Sequence, residues 1–121
     1  MAIDLFPTVL TVGPLTGNQE LVLALGRTTI VNLTSTGSVT LFGLLASGGN
    51  VDGMVVCLSN LNNSSFQFTA QHESASASAV TNRFRNAGLT DVSGGTGAGA
   101  LWFRFNAAVA GGRWMMIGKT S

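Results

Sequence analysis

Residues 52–68 read DGMVVCLSNLNNSSFQF, and this stretch decides the fold class predicted for the chain. The run at residues 54–58 is apolar and uncharged, and so short a run is typical of a strand covered on both faces. Asparagine and serine dominate residues 60–65, where their side chains readily bond the backbone of a turn. Phenylalanine and alanine then alternate with polar residues over residues 66–70. We therefore predict a central strand that returns through a hairpin.

Short apolar runs separated by turn residues recur elsewhere in the chain. Leu21, Leu23 and Leu25 alternate along their segment and place a leucine row on one face of a strand. Residues 29–34, TIVNLT, read as the next strand, and residues 35–38, STGS, have the length of a hairpin turn. This part of the chain therefore predicts a second hairpin.

The C-terminal part shows an equally clear alternation. Residues 101–106, LWFRFN, place leucine and phenylalanine on one face and Trp102 on the other, and Gly111-Gly112 turns the last hairpin. Residues 71–80, QHESASASAV, are ambiguous, because alanine favours a helix whereas each serine competes for backbone hydrogen bonds. We favour an exposed strand or an irregular loop for that segment.

About nine or ten short strands follow one another at roughly the 8 to 12 residue spacing of sandwiches and closed antiparallel barrels. No segment predicts a helix of three turns. We therefore predict an all-β protein, specifically an antiparallel β-sandwich of jelly-roll type, with an up-and-down β-barrel as the second choice.

The chain divides into residues 1–7, predicted to be an N-terminal arm, and residues 8–121, predicted to be a single domain. Pro7 disfavours a central position in a sheet, so the arm is free to lie on a neighbouring molecule. The first residues carry no basic cluster and do not make a secretory signal, so we expect the protein to begin near Met1. The apolar residues of the arm are candidate contacts: Ile3, Leu5 and Phe6.

Charged residues are scarce in this chain. They make up 9%, against about 25% in an ordinary soluble domain, while the mean hydropathy is +0.39 and the net charge +1. No stretch approaches the roughly 18 apolar residues of a membrane-spanning helix. A small domain cannot hide all of its apolar side chains alone. We therefore expect it to complete its burial in an oligomer or on a larger assembly.

Candidate catalytic groups are few and do not fall in a recognised motif. His72 and Glu73 lie in a serine-rich segment and are interpreted as a solvated pair. The single cysteine, Cys57, lies among apolar neighbours and is interpreted as a small buried hydrophobe. Residues 94–99, GGTGAG, lead into a strand, whereas a phosphate-binding glycine loop opens a helix. We therefore expect no enzyme activity, no cofactor and no bound metal.

Six basic against five acidic residues make no basic stripe, so we expect no nucleic-acid partner.

Two features are candidate contact sites for other partners. Arg83 and Arg85 flank Phe84, and this group either makes a local contact or leaves Phe84 in the core while Arg83 pairs with Asp52 or Asp91. Trp102 either packs between sheets or is exposed as an interface or sugar-stacking anchor. The candidate contact residues outside the arm are Phe84, Arg85 and Trp102.

Several of these motifs together resemble a known class of proteins. Asp52-Gly53 before the apolar run, Asn82-Arg83-Phe84, the aromatic strand at residues 101–105 and the closing Arg113-Trp114 resemble small β-rich virion proteins of tailed bacteriophages. Both capsid cement or decoration proteins and the terminal domains of head and tail fibres show this order. The resemblance covers about residues 19–117. It departs in one place, since Gly111-Gly112 replaces the usual tyrosine or acidic residue before the last tryptophan.

The resemblance implies a jelly-roll or related β-sandwich, commonly a homotrimer, that binds a shell or a host glycan without catalysis. We expect a decoration or cement protein on the outer capsid surface, made in the host cytoplasm, with the major capsid protein as its partner. No membrane partner is expected. The alternative is a receptor-binding or fibre-tip module in which Trp102, Arg85 and the polar loops contact a host surface glycan.

Overall fold

The computed structural model describes residues 7–63, 65–94 and 99–120. Ten strands fill most of these ranges, together with two single-turn 3₁₀ helices at Val80–Asn82 and Ala87–Leu89. The prediction of an all-β protein is confirmed. The strands are β1 (Thr8–Leu15), β2 (Gln19–Leu23), β3 (Thr28–Ser35), β4 (Val39–Ala46), β5 (Val55–Asn60), β6 (Phe68–Ala70), β7 (Phe84–Arg85), β8 (Val92–Ser93), β9 (Ala100–Asn106) and β10 (Arg113–Thr120).

The strands form two sheets. The large sheet has six strands in the order β1-β3-β5-β9-β10-β7, and the small sheet has four in the order β2-β4-β6-β8. The first six strands alternate between the two sheets, and each of β1 to β4 pairs in parallel with the strand after next. The chain therefore winds through both sheets in successive turns, and it closes with the antiparallel pair β9–β10.

Two of the three predicted hairpins, those at residues 52–68 and at residues 35–38, are wrong. β5 is a central strand of the large sheet, as predicted, but β6 lies in the small sheet and does not return along β5. The chain likewise crosses from β3 to the small sheet at residues 36–38, where a hairpin turn was expected. An amphipathic strand buries its apolar face equally well in either of the two sheets. The alternation of apolar and polar residues therefore does not determine which strand it pairs with.

The antiparallel arrangement is also wrong for most of the described strands. Five of the eight strand pairs are parallel, and three are antiparallel. Neighbours in each sheet are mostly not consecutive in sequence, so the connectivity of an up-and-down barrel does not apply. The jelly-roll type is not confirmed, because a jelly roll is built from antiparallel pairs.

One hydrophobic core fills the space between the sheets. The large sheet contributes Val31, Val56 and Phe103, and the small sheet contributes Leu21 and Leu41. Each of these residues alternates with neighbours that point away, as strand geometry requires. The predicted leucine row on β2 is therefore a core row, with Leu23 and Leu25 partly buried against the same cluster.

Asparagine side chains fix the crossing that follows β5. Asn62 Oδ1 accepts a hydrogen bond from the Ser35 amide, and Asn62 Nδ2 donates to Ser35 Oγ, each at 2.9 Å. Asn60 Oδ1 accepts from the Asn62 amide, and Asn60 Nδ2 donates to the Phe66 carbonyl. The predicted amide bonding to the backbone is thus present, and it ties the crossing to the end of β3.

The serine-rich segment at residues 71–80 is irregular, as we expected. Its anchor is Glu20, whose carboxylate accepts hydrogen bonds from the Ser78 amide, the Ser78 hydroxyl and Asn82 Nδ2. Asn82 also accepts from Asn50 Nδ2. These side-chain hydrogen bonds hold a segment whose one strand-like pairing is the bridge between His72 and Phe84.

Candidate functional site

The face of the large sheet that points away from the core carries an apolar row. Strand register places Val9, Ile30, Cys57 and Trp102 side by side across β1, β3, β5 and β9. None of the four belongs to the hydrophobic core between the sheets. Val9 is 57% exposed, and Ile30 and Trp102 are partly exposed. We call these four residues the apolar row and this side of the large sheet the outer face.

Cys57 lies in the middle of the apolar row but is only 4% exposed. Its register partners Ile30 and Trp102 bring large side chains to the same face on either side of it. Burial raises the pKa of the Cys57 thiol, because the charged thiolate would lose its hydration. The thiol therefore stays neutral and acts as a small hydrophobe, in agreement with the sequence interpretation.

Trp102 does not pack between the sheets. It lies opposite Gly118 of β10, where a Cβ added to the glycine would come within 3.9 Å of Trp102 Cβ and 4.0 Å of Trp102 Cδ1. The glycine therefore leaves open space beside the indole. Of the two interpretations of Trp102, a partly exposed position on the outer face is the one observed.

The neighbouring rows of the outer face differ in charge. On one side, register aligns Val55, Arg104, Met115 and Arg85 across β5, β9, β10 and β7. On the other side, the aligned residues are small and uncharged: Thr11, Asn32, Ser59 and Ala100. The apolar row is thus bordered by arginines on one side only.

Three arginines surround one carboxylate at the β7 end of the large sheet. Arg113 Nε donates to both oxygens of Glu73, at 2.8 and 2.9 Å. Arg83 Nη1 lies 3.8 Å from Glu73 Oε1, and Arg85 Nε lies 4.0 Å from Glu73 Oε2. We call Arg83, Arg85, Arg113 and Glu73 the arginine cluster.

The predicted partners of the arginine-phenylalanine motif need correction. Arg83 pairs with Glu73, because Asp52 and Asp91 instead accept hydrogen bonds from the amides of Ala107 and His72. Phe84 is fully buried and stacks at a tilt on Phe103, with ring centroids 4.6 Å apart. Phe84 is therefore a core residue and leaves the set of candidate contact residues, whereas Arg85 stays in it.

No protein-family model, curated protein or solved structure matches the chain.

His72 and Glu73 are both engaged within the protein. His72 Nδ1 accepts a hydrogen bond from the Asn86 amide at 3.1 Å, and the Glu73 carboxylate binds Arg113. The interpretation of these two residues as a solvated pair is therefore wrong. In the described ranges, no three histidine, cysteine, aspartate or glutamate side chains lie together as a metal site would require. No helix in the same ranges is long and apolar enough to span a membrane.

Two predicted contact residues, Arg85 and Trp102, lie on the outer face within neighbouring rows. The arm residues Ile3, Leu5 and Phe6 lie outside the described residues. Sequence reasoning missed Val9, Ile30 and Arg104 as members of the same face. Only strand alternation could have singled them out, and the strand partners that bring them together were not predictable from it.

Proposed function

We propose that this protein is a structural virion component, a bacteriophage decoration or cement protein that docks through its outer face and stabilises the shell. The observation that carries the proposal is the apolar row, which lies on a sheet face away from the core. An apolar row on an open sheet face gains free energy when a partner covers it, at about 25 cal/mol per Å² of buried apolar area.

The composition of the outer face suits a protein partner. Tryptophan, methionine and arginine are enriched at protein interfaces, and Trp102, Met115 and Arg104 occupy adjacent positions here. Modest contacts of this kind become strong when copies are joined, because the second contact then forms at a high effective concentration. We therefore propose a homo-oligomer, a trimer, bound to the major capsid protein.

Only the two-layer architecture of the fold supports this proposal. Two sheets that share one core are the layer arrangement common to β-sandwiches, and jelly rolls are one such arrangement. Of the predicted jelly roll, we retain only this two-layer arrangement in the proposal, since the strand pairing is mixed.

The chain offers a matched pair of variants for the test. Val9 and Val22 are 57% and 58% exposed, both lie on edge strands, but only Val9 belongs to the apolar row. Val9→Lys should reduce co-sedimentation with undecorated phage shells by about tenfold, whereas Val22→Lys should leave it unchanged. Equal binding of the two variants, or no binding of the unaltered protein, would contradict the proposal.

Oligomeric state is a second, independent measurement. Light scattering at micromolar concentration should give about three times the monomer mass if a closed trimer forms. A stable monomer would contradict the proposed trimer. Electron microscopy of labelled protein on intact particles tests shell binding separately and should show the label on the head.

A receptor-binding or fibre-tip module is the second candidate function. It is favoured by the partly exposed indole of Trp102 beside Arg104, two positions along the same face of β9. An aromatic ring of this kind stacks on the apolar face of a sugar. Label at the tip of the tail, together with binding to host glycans that Trp102→Ala abolishes, would favour this candidate over the first.

A further inference from the structure

Positive charge is concentrated at one end of the outer face. The arginine cluster holds three guanidinium groups and one carboxylate, which leaves an excess of two positive charges. The net charge of the whole chain is only +1. Arg104 extends the charged region, because it is aligned with Met115 and Arg85 across the sheet. The charge shortage of the sequence therefore hides a local basic region.

Extended backbone on either side of Phe84 sets the direction of two of these arginines. Phe84 is fully buried, so Arg83 and Arg85 on either side of it point to the outer face. The parallel pairing of β7 with β10 places them beside Arg113 and Met115. Buried Phe84 thus anchors the short segment that carries both arginines.

The hydrogen-bond donors of the cluster are unevenly used. Arg113 uses two of its nitrogens, since its Nε binds both oxygens of Glu73 and its Nη1 donates to the Ala110 and Gly112 carbonyls. Arg83 and Arg85 lie 3.8 and 4.0 Å from Glu73, which is beyond hydrogen-bonding distance. Arg83 Nε is buried, and no described residue accepts a hydrogen bond from it. The Arg83 and Arg85 side chains are nevertheless 24% and 34% exposed, so a ligand can approach the outer part of both guanidinium groups.

We propose that Arg83 and Arg85 bind a carboxylate side chain of the protein on which this chain docks. The planar guanidinium fork matches two carboxylate oxygens, and Glu73 does not fill this role here because Arg83 and Arg85 lie 3.8 and 4.0 Å from its oxygens. Phosphate, sulfate and sugar acids carry similar oxygens. An acidic peptide segment is the better fit, because Arg85 shares its row with Met115 and Val55 and a partner protein can cover both kinds of group.

The inference rests on the proposed function only in its choice of a protein partner. Its test uses the full chain and a fluorescent peptide with alternating glutamates, compared with the same peptide carrying glutamines. The acidic peptide should bind in a salt-sensitive manner, and Arg85→Gln should weaken it by about tenfold. Within the described residues, the Arg85 guanidinium makes only the 4.0 Å ion pair with Glu73, so its replacement should leave the thermal midpoint unchanged.

Matched variants separate a site from general charge attraction. Lys119→Gln removes the same charge from an exposed position on β10 and should change peptide affinity less than about twofold. Arg83→Lys keeps the charge but loses the fork, and it should weaken binding nearly as much as Arg83→Gln. Equal losses in Lys119→Gln and Arg85→Gln, or full binding by Arg83→Lys, would overturn the proposal.

Competing ligands form the last arm of the test. Inorganic phosphate and glucuronate are added at concentrations matched to the peptide carboxylates. Binding of either one to the unaltered protein without binding of the acidic peptide would overturn the proposal in favour of a free anion or an acidic glycan. Shell binding without peptide binding would overturn this inference alone, whereas peptide binding without shell binding would overturn the proposed function alone.

Discussion

Trp114 Nε1 donates a 2.7 Å hydrogen bond to the Leu44 carbonyl, so one indole joins β10 of the large sheet to β4 of the small sheet. Trp114 is fully buried and meets Phe105 edge to face at 5.3 Å. The Leu44 carbonyl also accepts from Asn50 Nδ2 at 3.2 Å, so it keeps one partner if the indole is removed.

Trp114→Phe should lower the free energy of unfolding by about 2 kcal/mol. The variant loses one buried hydrogen bond and leaves unfilled volume between the sheets. Urea denaturation followed by circular dichroism measures the change. Trp102→Phe, on the outer face, is the matched control and should cost less than about 0.5 kcal/mol. Equal costs for the two variants would contradict the role assigned to Trp114.

Asn62→Ala should destabilise the protein by about 1 to 3 kcal/mol. The change removes the acceptor of the buried Ser35 amide, and a buried donor without a partner carries its full desolvation cost. The midpoint of urea unfolding is the measurement, and Asn63→Ala, at an exposed neighbouring position, is the control. If both variants unfold at the same urea concentration, the crossing after β5 is not held by Asn62.

Gly43→Ala should destabilise the protein by about 1 to 3 kcal/mol because β4 passes close to the backbone of residue 82. A Cβ at Gly43 would overlap the Asn82 carbonyl oxygen and come within 3.2 Å of Ala77 Cβ. Gly48→Ala is the control, since a Cβ there meets no atom within 4 Å. Thermal unfolding of both variants measures the difference, and an unchanged midpoint for Gly43→Ala would contradict the close approach.

The stability of the protein should fall as the pH rises through the ordinary range of a thiol. Burial raises the pKa of Cys57 above its ordinary value of 9.0, so the unfolded chain loses the thiol proton at a lower pH than the folded chain does. Above that pH the unfolded state binds fewer protons, and the free energy of unfolding decreases. The chain contains no tyrosine, whose titration near pH 10 would overlap this range.

Urea unfolding from about pH 7 to about pH 10 measures this dependence. Cys57→Ser replaces the thiol with a hydroxyl that does not titrate in the range, so its decline should be smaller. The same pH slope in both proteins would show that Cys57 is not its source.

The sequence was sufficient for the fold class and for the position of β5. An uncharged apolar run such as residues 54–58 is typical of a strand inside a sheet, and β5 does lie inside the large sheet. The final hairpin was also predictable, because β9 and β10 alternate clearly on either side of Gly111-Gly112. Local signals were enough in these two places.

Strand partners were not predictable for the first six strands. Their alternation fixes which side chains face the core, but it is equally satisfied by a hairpin in one sheet or a crossing to the other. The bonds that decide, such as Asn62 to Ser35, join residues 27 positions apart. Arg83 and Arg85 were recognised around Phe84, but their meeting with Glu73 and Arg113 was missed for the same reason, since Glu73 contacts Arg113 only in the folded chain.

The alternation of β1 to β6 between the two sheets affects folding during synthesis. In the described part of the chain, β9 and β10 are the only consecutive strands that pair with each other. During synthesis β5 emerges well before β9, its antiparallel partner, and until then it presents one open row of backbone donors and acceptors. Such a row recruits strands from other chains. We therefore expect nascent or truncated chains that stop before residue 100 to aggregate unless a chaperone covers β5.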